Sequence, residues 1–174
     1  MKKIIVTVIL TLVVLLLGFI IFIYSGTYNV SQLSHHNSIT AWAIKTTVSR
    51  SIDSHSKALL IPPMNDSSNF KEGFSHYNEM CVTCHAAPGI QPDELAKGLY
   101  PSPPLFYKSN KMPGAAYTFW VIKNGIKFTS MPAFGPTHSD EKIGAITDFI
   151  LNKLNKMSPQ EYRQWQEKYG KMGN

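Results

Sequence analysis

Cys81-Val82-Thr83-Cys84-His85 is the stretch on which the reading of this chain turns. Two cysteines three positions apart, followed at once by histidine, have the spacing that attaches haem c. On one turn of helix both sulfurs can add to the vinyl groups of a single porphyrin. The adjoining histidine then lies beneath the iron, with an imidazole nitrogen to offer as proximal ligand. Half a zinc site and a thioredoxin-like dithiol also use cysteine pairs. Here the chain has only two cysteines, no histidines paired at the gap that completes a zinc finger, and no strand-like runs for a thioredoxin fold. One covalently bound haem c, with its iron, is the expected cofactor.

Outward from that motif, the next informative stretch is Ile4 to Tyr24, which carries no charge. At the rise of an α-helix it covers roughly 30 Å, the thickness of a bilayer's hydrocarbon layer. A cleaved signal has a shorter apolar core, about 7–15 residues, that ends in small side chains. Bulky Ile21, Phe22, Ile23 and Tyr24 end this one, which favours a retained anchor. Lys2 and Lys3 precede it and keep the N-terminus cytoplasmic by the positive-inside tendency. The expected location is therefore the bacterial inner membrane, single-pass, with the haem domain in the periplasm, where c-type haem is attached.

The rest of the chain holds an excess of basic residues over its 11 acidic ones, and both cysteines are committed to haem, so no disulfide framework is available. Residues 26–65 read as a linker followed by an amphipathic helix from about Ser38 to Leu60. Its stripe is Ala41, Ile44, Val48, Ile52, His55 and Leu59, and Pro62 and Pro63 stop it. Ile39 and Trp42 lie off the stripe. The helix is read as packing outside the haem domain, with docking to a membrane partner as the alternative. A second helix should run from Asp66 into the motif. Residues 86–113 are rich in proline and glycine and read as loop, with a short helix over Glu94 to Lys97. A buried helix over Ala115 to Asn124 ends at Gly125. Another starts after Ser139 and buries Ile143, Ile146, Ile150 and Leu154. Ser158-Pro159-Gln160-Glu161 opens the last, with a capping-box pattern. The pattern is all-α, with the anchor at 1–25, a haem domain at 66–157 and a helical extension at 158–174.

The iron's second axial position has one leading candidate. Met131 lies on Gly125-Ile126-Lys127-Phe128-Thr129-Ser130-Met131-Pro132, a constrained loop long enough for the chain to cross the haem edge and return over the opposite face. A thioether there raises the reduction potential relative to a second imidazole. Met112 is also followed by proline but leads into a hydrophobic helix. Met80 is held on the proximal side, Met64 precedes the module, and Met157 and Met172 come late. His55, His76 and His138 are the imidazole alternatives.

With this motif, a downstream Met-Pro and a helix on either side, residues 66–154 resemble a class I c-type cytochrome domain. The compact monohaem modules in the c-type subunits of cbb3 oxidases are the nearest likeness. The resemblance implies that the helix leading into the motif crosses the helix after the methionine loop, through Gly73, Tyr77 and Phe149. It also implies a proline carbonyl against the imidazole of His85. Pro103 fits that pattern best, with Pro88 and Pro104 as neighbours that would serve. A group of membrane-anchored monohaem cytochromes is similar over Arg50-Ser51 and Gly98-Leu99-Tyr100-Pro101. Ser130 and Gly144 depart from the pattern, where glycine and a bulky residue are expected, and Gly144 would leave a shallow surface.

The functional expectation is an electron carrier rather than a substrate-converting enzyme. Its partners are redox proteins, acidic ones among the candidates, together with the inner membrane. No nucleic acid and no small-molecule substrate is expected. The alternatives are a ligand-responsive or peroxidase-like haem protein with a displaceable Met131, a permanent subunit of a dehydrogenase or oxidase complex, and a haem-free thiol oxidoreductase.

Overall fold

Helix α1, Lys2–Tyr24, is apolar on every face and none of its residues is buried. Among the described residues, 1–64 and 66–170 in this computed structural model, it is the helix long and apolar enough to cross a membrane. Residues Met1–His35 form one compact unit and His36–Asn174 a second.

The second unit is all-α among its described residues, apart from a single bridge between Ala87 and Ile90. It opens with α2, Ser38–Ser56, whose first turn is capped by the Asn37 side chain accepting from the Thr40 N–H. The helix ends before Leu60. Leu59 and Ile61 leave it to pack on the core as an extended strap, and Pro62 follows. Ile52 is buried and Ile44 and Val48 half-buried, so most of the expected stripe faces inward. His55 lies at the edge of that face: it is exposed, with Nδ1 bonded to the Ser51 carbonyl and its ring 5.8 Å from Trp120.

Asp66 caps α3, Ser67–His76, by accepting from the Ser68 N–H. The helix does not run straight into the motif. Residues Tyr77–Cys81 form a π-helical turn, in which the Val82 N–H reaches back five residues to the Tyr77 carbonyl. One inserted residue rotates everything beyond it by about 100° about the axis. Tyr77 and Cys81 are both buried, and α4, Val82–His85, carries the rest of the motif. The short α5, Glu94–Lys97, follows, and then α6, Ala115–Asn124, which packs against α2.

Helix α7, Asp140–Asn152, is capped by Ser139 and crosses α3 in the most extensive helix contact of the unit. The crossing is close because Gly73 has no side chain. A Cβ there would fall on the Ala145 carbonyl and lie 2.8 Å from the Phe149 Cβ. Around it, Phe74 meets Phe149 edge-on at 5.6 Å, and Tyr77 lies 5.6 Å from the same ring. Gly144 leaves no shallow surface. A Cβ there would lie 2.9 Å from the Pro62 ring, so the strap after α2 covers the position.

Helix α8, Pro159–Tyr169, starts at Ser158, whose hydroxyl accepts from the Glu161 N–H. Although it was expected as an extension, it belongs to the core. Tyr162 is fully buried with its ring 5.0 Å from Phe74, and Trp165 reaches the same ring at 5.5 Å. Gln166 donates to the Asn78 side chain at 2.9 Å, which ties α8 to the π-helical turn.

A glycine-to-alanine change inside a helix ordinarily gains about 1 kcal/mol. Gly73→Ala should do the opposite, because its methyl group must displace the α7 backbone. We expect a loss of about 2 kcal/mol or more, in the range of overpacked cores. Denaturant midpoints of the two purified proteins check this, and an unchanged or raised midpoint would refute the crossing.

Candidate haem-attachment site

The π-helical turn and α4 deliver the three motif side chains in different states of burial. Cys81 is buried and Cys84 half-buried, and both are free thiols. Burial, with a smaller push from Cys84, raises the Cys81 thiol to about 12. A dithiol built for exchange needs the opposite shift, toward thiolate, so the surroundings of Cys81 speak against the haem-free redox reading.

His85 is buried, and its Nδ1 lies 2.9 Å from the Pro104 carbonyl oxygen. A carbonyl only accepts, so Nδ1 must carry the proton. That fixes the tautomer and leaves the Nε2 lone pair for a metal. Burial lowers the imidazole's pKa, and the bond to Pro104 offsets this only in part. The ring is thus held neutral, the form a metal ligand requires. Phe106 stacks on it at 4.8 Å.

The carbonyl that meets His85 belongs to Pro104, not to Pro103, which the sequence pattern favoured. A residue before proline is held extended, and successive carbonyls of an extended chain point in different directions. Of the adjacent pair only one can face the ring. Phe106, two positions further on, was not singled out from the sequence. Only its proximity to the proline pair hinted at it.

Immediately beyond His85 the chain must turn. Ala86 does so at φ +55°, a conformation disfavoured for a residue with a side chain, while fully buried. Two hydrogen bonds hold it. Its N–H donates to the Val82 carbonyl at 2.8 Å, and its carbonyl accepts from the Tyr77 hydroxyl at 2.7 Å. Burial keeps the Tyr77 hydroxyl protonated, far above its ordinary pKa, so it remains a donor.

Met131 lies on a loop closed on itself. The Ile126 N–H donates to the Met131 carbonyl at 3.2 Å, and the Met131 N–H to the Thr129 hydroxyl at 3.1 Å. Gly125, at φ +66°, lets the strand beyond Met131 approach. A Cβ there would lie 2.8 Å from the Met131 carbonyl oxygen and the Ala133 nitrogen. Phe134 and Gly135 donate their N–H groups to the Ile122 and Lys123 carbonyls, capping the end of α6. The Met131 side chain is half-buried against the core. Met80 and Met112 are half-buried there too, but neither is held in a closed loop. His76 and His138 face each other with ring centroids at 5.2 Å. Met172 lies outside the described residues.

The lysines of this region are not equivalent. Lys123 is paired with Asp140 at 2.6 Å, while Lys97, Lys108, Lys111 and Lys127 are exposed. Among the described residues no three His, Cys, Asp or Glu side chains converge as a conventional metal site. The donors instead suit haem c: a neutral imidazole with a free Nε2, two thiols one turn apart, and a thioether on a clamped loop.

Residues 68–150 match the family described as cytochrome c oxidase, cbb3-type, subunit III. Neither the curated proteins nor the solved structures give a significant match. The matched segment runs from α3 to α7 and contains both the attachment motif and the methionine loop. Together with Cys81, Cys84 and His85, the match supports a monohaem module similar to the class I c-type cytochromes in this part of the chain.

Proposed function

We propose that this protein is a membrane-anchored, periplasm-facing monohaem cytochrome c that passes single electrons between respiratory redox proteins. The observation that carries the reading is the family match over residues 68–150, which contains a haem-attachment motif whose histidine is held neutral with Nε2 free. In this reading Cys81 and Cys84 would hold one haem c by thioether bonds, and His85 and Met131 would ligate its iron. The haem supplies a one-electron iron couple.

The chain's own residues do the rest. Pro104 accepts from His85 Nδ1, which orients the ring and makes Nε2 a stronger donor. Tyr77 and Ala86 fix the turn that sets where His85 begins. The closed loop from Gly125 to Gly135 holds Met131 without using the haem as its only anchor, which favours a saturated iron and hence electron transfer over ligand chemistry. Helix α1 confines the module to the membrane and raises its encounter rate with membrane-bound partners. The family description names an oxidase subunit, which supports permanent membership of a complex as a second reading. Whether the detergent-solubilised protein migrates alone separates the two.

A haem-staining band should survive denaturing electrophoresis, because the porphyrin is covalently held. Met131→Ala should keep that band and lose the weak sulfur-to-iron absorption at the red edge of the oxidised spectrum. Persistence of the absorption would transfer the role to Met112.

Lys97, Lys108, Lys111 and Lys127 leave a local excess of positive charge between Leu95 and Ser139, where the chain has no acidic residue. Electron exchange with an acidic soluble acceptor should therefore slow as salt is added. Stopped-flow rates across a range of ionic strength test this, and a flat or rising rate would remove these lysines from docking.

A further inference from the structure

Helix α2 has two usable faces, and the haem unit uses one. Ile52 and Ser56 are buried, and Ile44 and Val48 half-buried, on the side that packs against α6. At about 100° per residue, Ile39, Trp42, Thr46, Arg50, Asp53 and Lys57 fall in a single stripe on the other side. All six are exposed. Ile39 is 78% exposed and Trp42 67%, large values for an isoleucine and a tryptophan at the start of a well-capped helix. The far end of the stripe is polar: Arg50 and Lys57 flank Asp53, whose charge is also felt by Tyr117 of α6.

We propose that this stripe rests on a phospholipid surface, with Ile39 and Trp42 in the interfacial layer and Arg50 and Lys57 at the lipid phosphates. Three observations favour lipid over a second protein. The stripe begins within residues 25–37 of the end of α1, a connection that spans at most about 45 Å even when fully extended. Large apolar side chains are exposed along that connection too, at Tyr28, Val30 and Leu33. The order along α2 is tryptophan and isoleucine first, cations last, the composition of a helix lying in the membrane interface. Its other face is occupied by α6. Helix α2 would then lie flat between lipid and the haem module, and the module would have a fixed orientation on the membrane instead of swinging on a free tether. The proposal requires α1 to span the bilayer but is independent of the electron-transfer reading.

The test uses the full-length holoprotein, labelled with 5-fluorotryptophan, in phospholipid nanodiscs with and without a gadolinium-chelating lipid. Incorporation into discs reports on α1 alone, so a failure of the anchor is separable from a failure of α2. Trp42→Phe assigns its resonance among those of Trp42, Trp120 and Trp165. The proposal expects the gadolinium lipid to broaden the Trp42 signal selectively, and Ile39→Asp, which changes an exposed position, to restore it. Equal broadening of all three signals, or none at Trp42, would overturn it. So would a Trp42 signal that shifts with the number of chains per disc, which would make a second copy the occupant.

Discussion

The approach of α3 to α7 at Gly73 is the constraint on which the rest of the haem unit depends. With no side chain at that position, the α3 backbone comes against the Ala145 carbonyl. The next turn then places Tyr77 against Phe149, and from there its hydroxyl reaches the Ala86 carbonyl. That bond helps hold an alanine at positive φ, and the alanine ends the helix directly after His85. The position of His85 is thus transmitted from a helix crossing three turns earlier in the chain. The π-helical turn between them is the adjustment that lets one helix serve both purposes, burying Tyr77 against the crossing while presenting Cys81, Cys84 and His85 beyond it.

Backbone carbonyls do much of the positioning at the site itself. Pro104 holds the imidazole, and the terminal carbonyls of α6 hold the methionine loop. A carbonyl fixed in a loop has no side-chain torsions to settle, so it orients its partner at little entropic cost. Two ion pairs lie toward the surface. Lys123 pairs with Asp140, and Lys153 with Glu161 on α8, while the remaining lysines near the methionine loop face solvent.

The helices were legible because their signals are local. Asp66, Ser139 and Ser158 cap helices where the sequence placed them, Gly125 ends α6 at positive φ, and the stripe of α7 is buried as its period required. Where the sequence reading went astray, a contact from elsewhere in the chain decided the matter. Gly144 looks like a gap in α7 until Pro62, more than eighty positions earlier, is seen to fill it. Residues 158–174 read as a helical extension, but Tyr162 and Trp165 complete an aromatic cluster begun by Phe74.

What the sequence determined by itself was the chemistry. The spacing of Cys81, Cys84 and His85 permits few uses, since thiols and imidazole must meet one porphyrin across a single helical turn. What only the tertiary structure decided was which neighbours complete that chemistry. Pro103 and Pro104 are equivalent as residues, and they differ only in where their carbonyls point once the loop is laid across His85. The π-helical turn is likewise invisible in the sequence, because no local preference favours it. It is seen only in the fold, where Gly73 and Tyr77 both pack at Phe149 of α7 and the π-helical turn carries the chain from there into the motif.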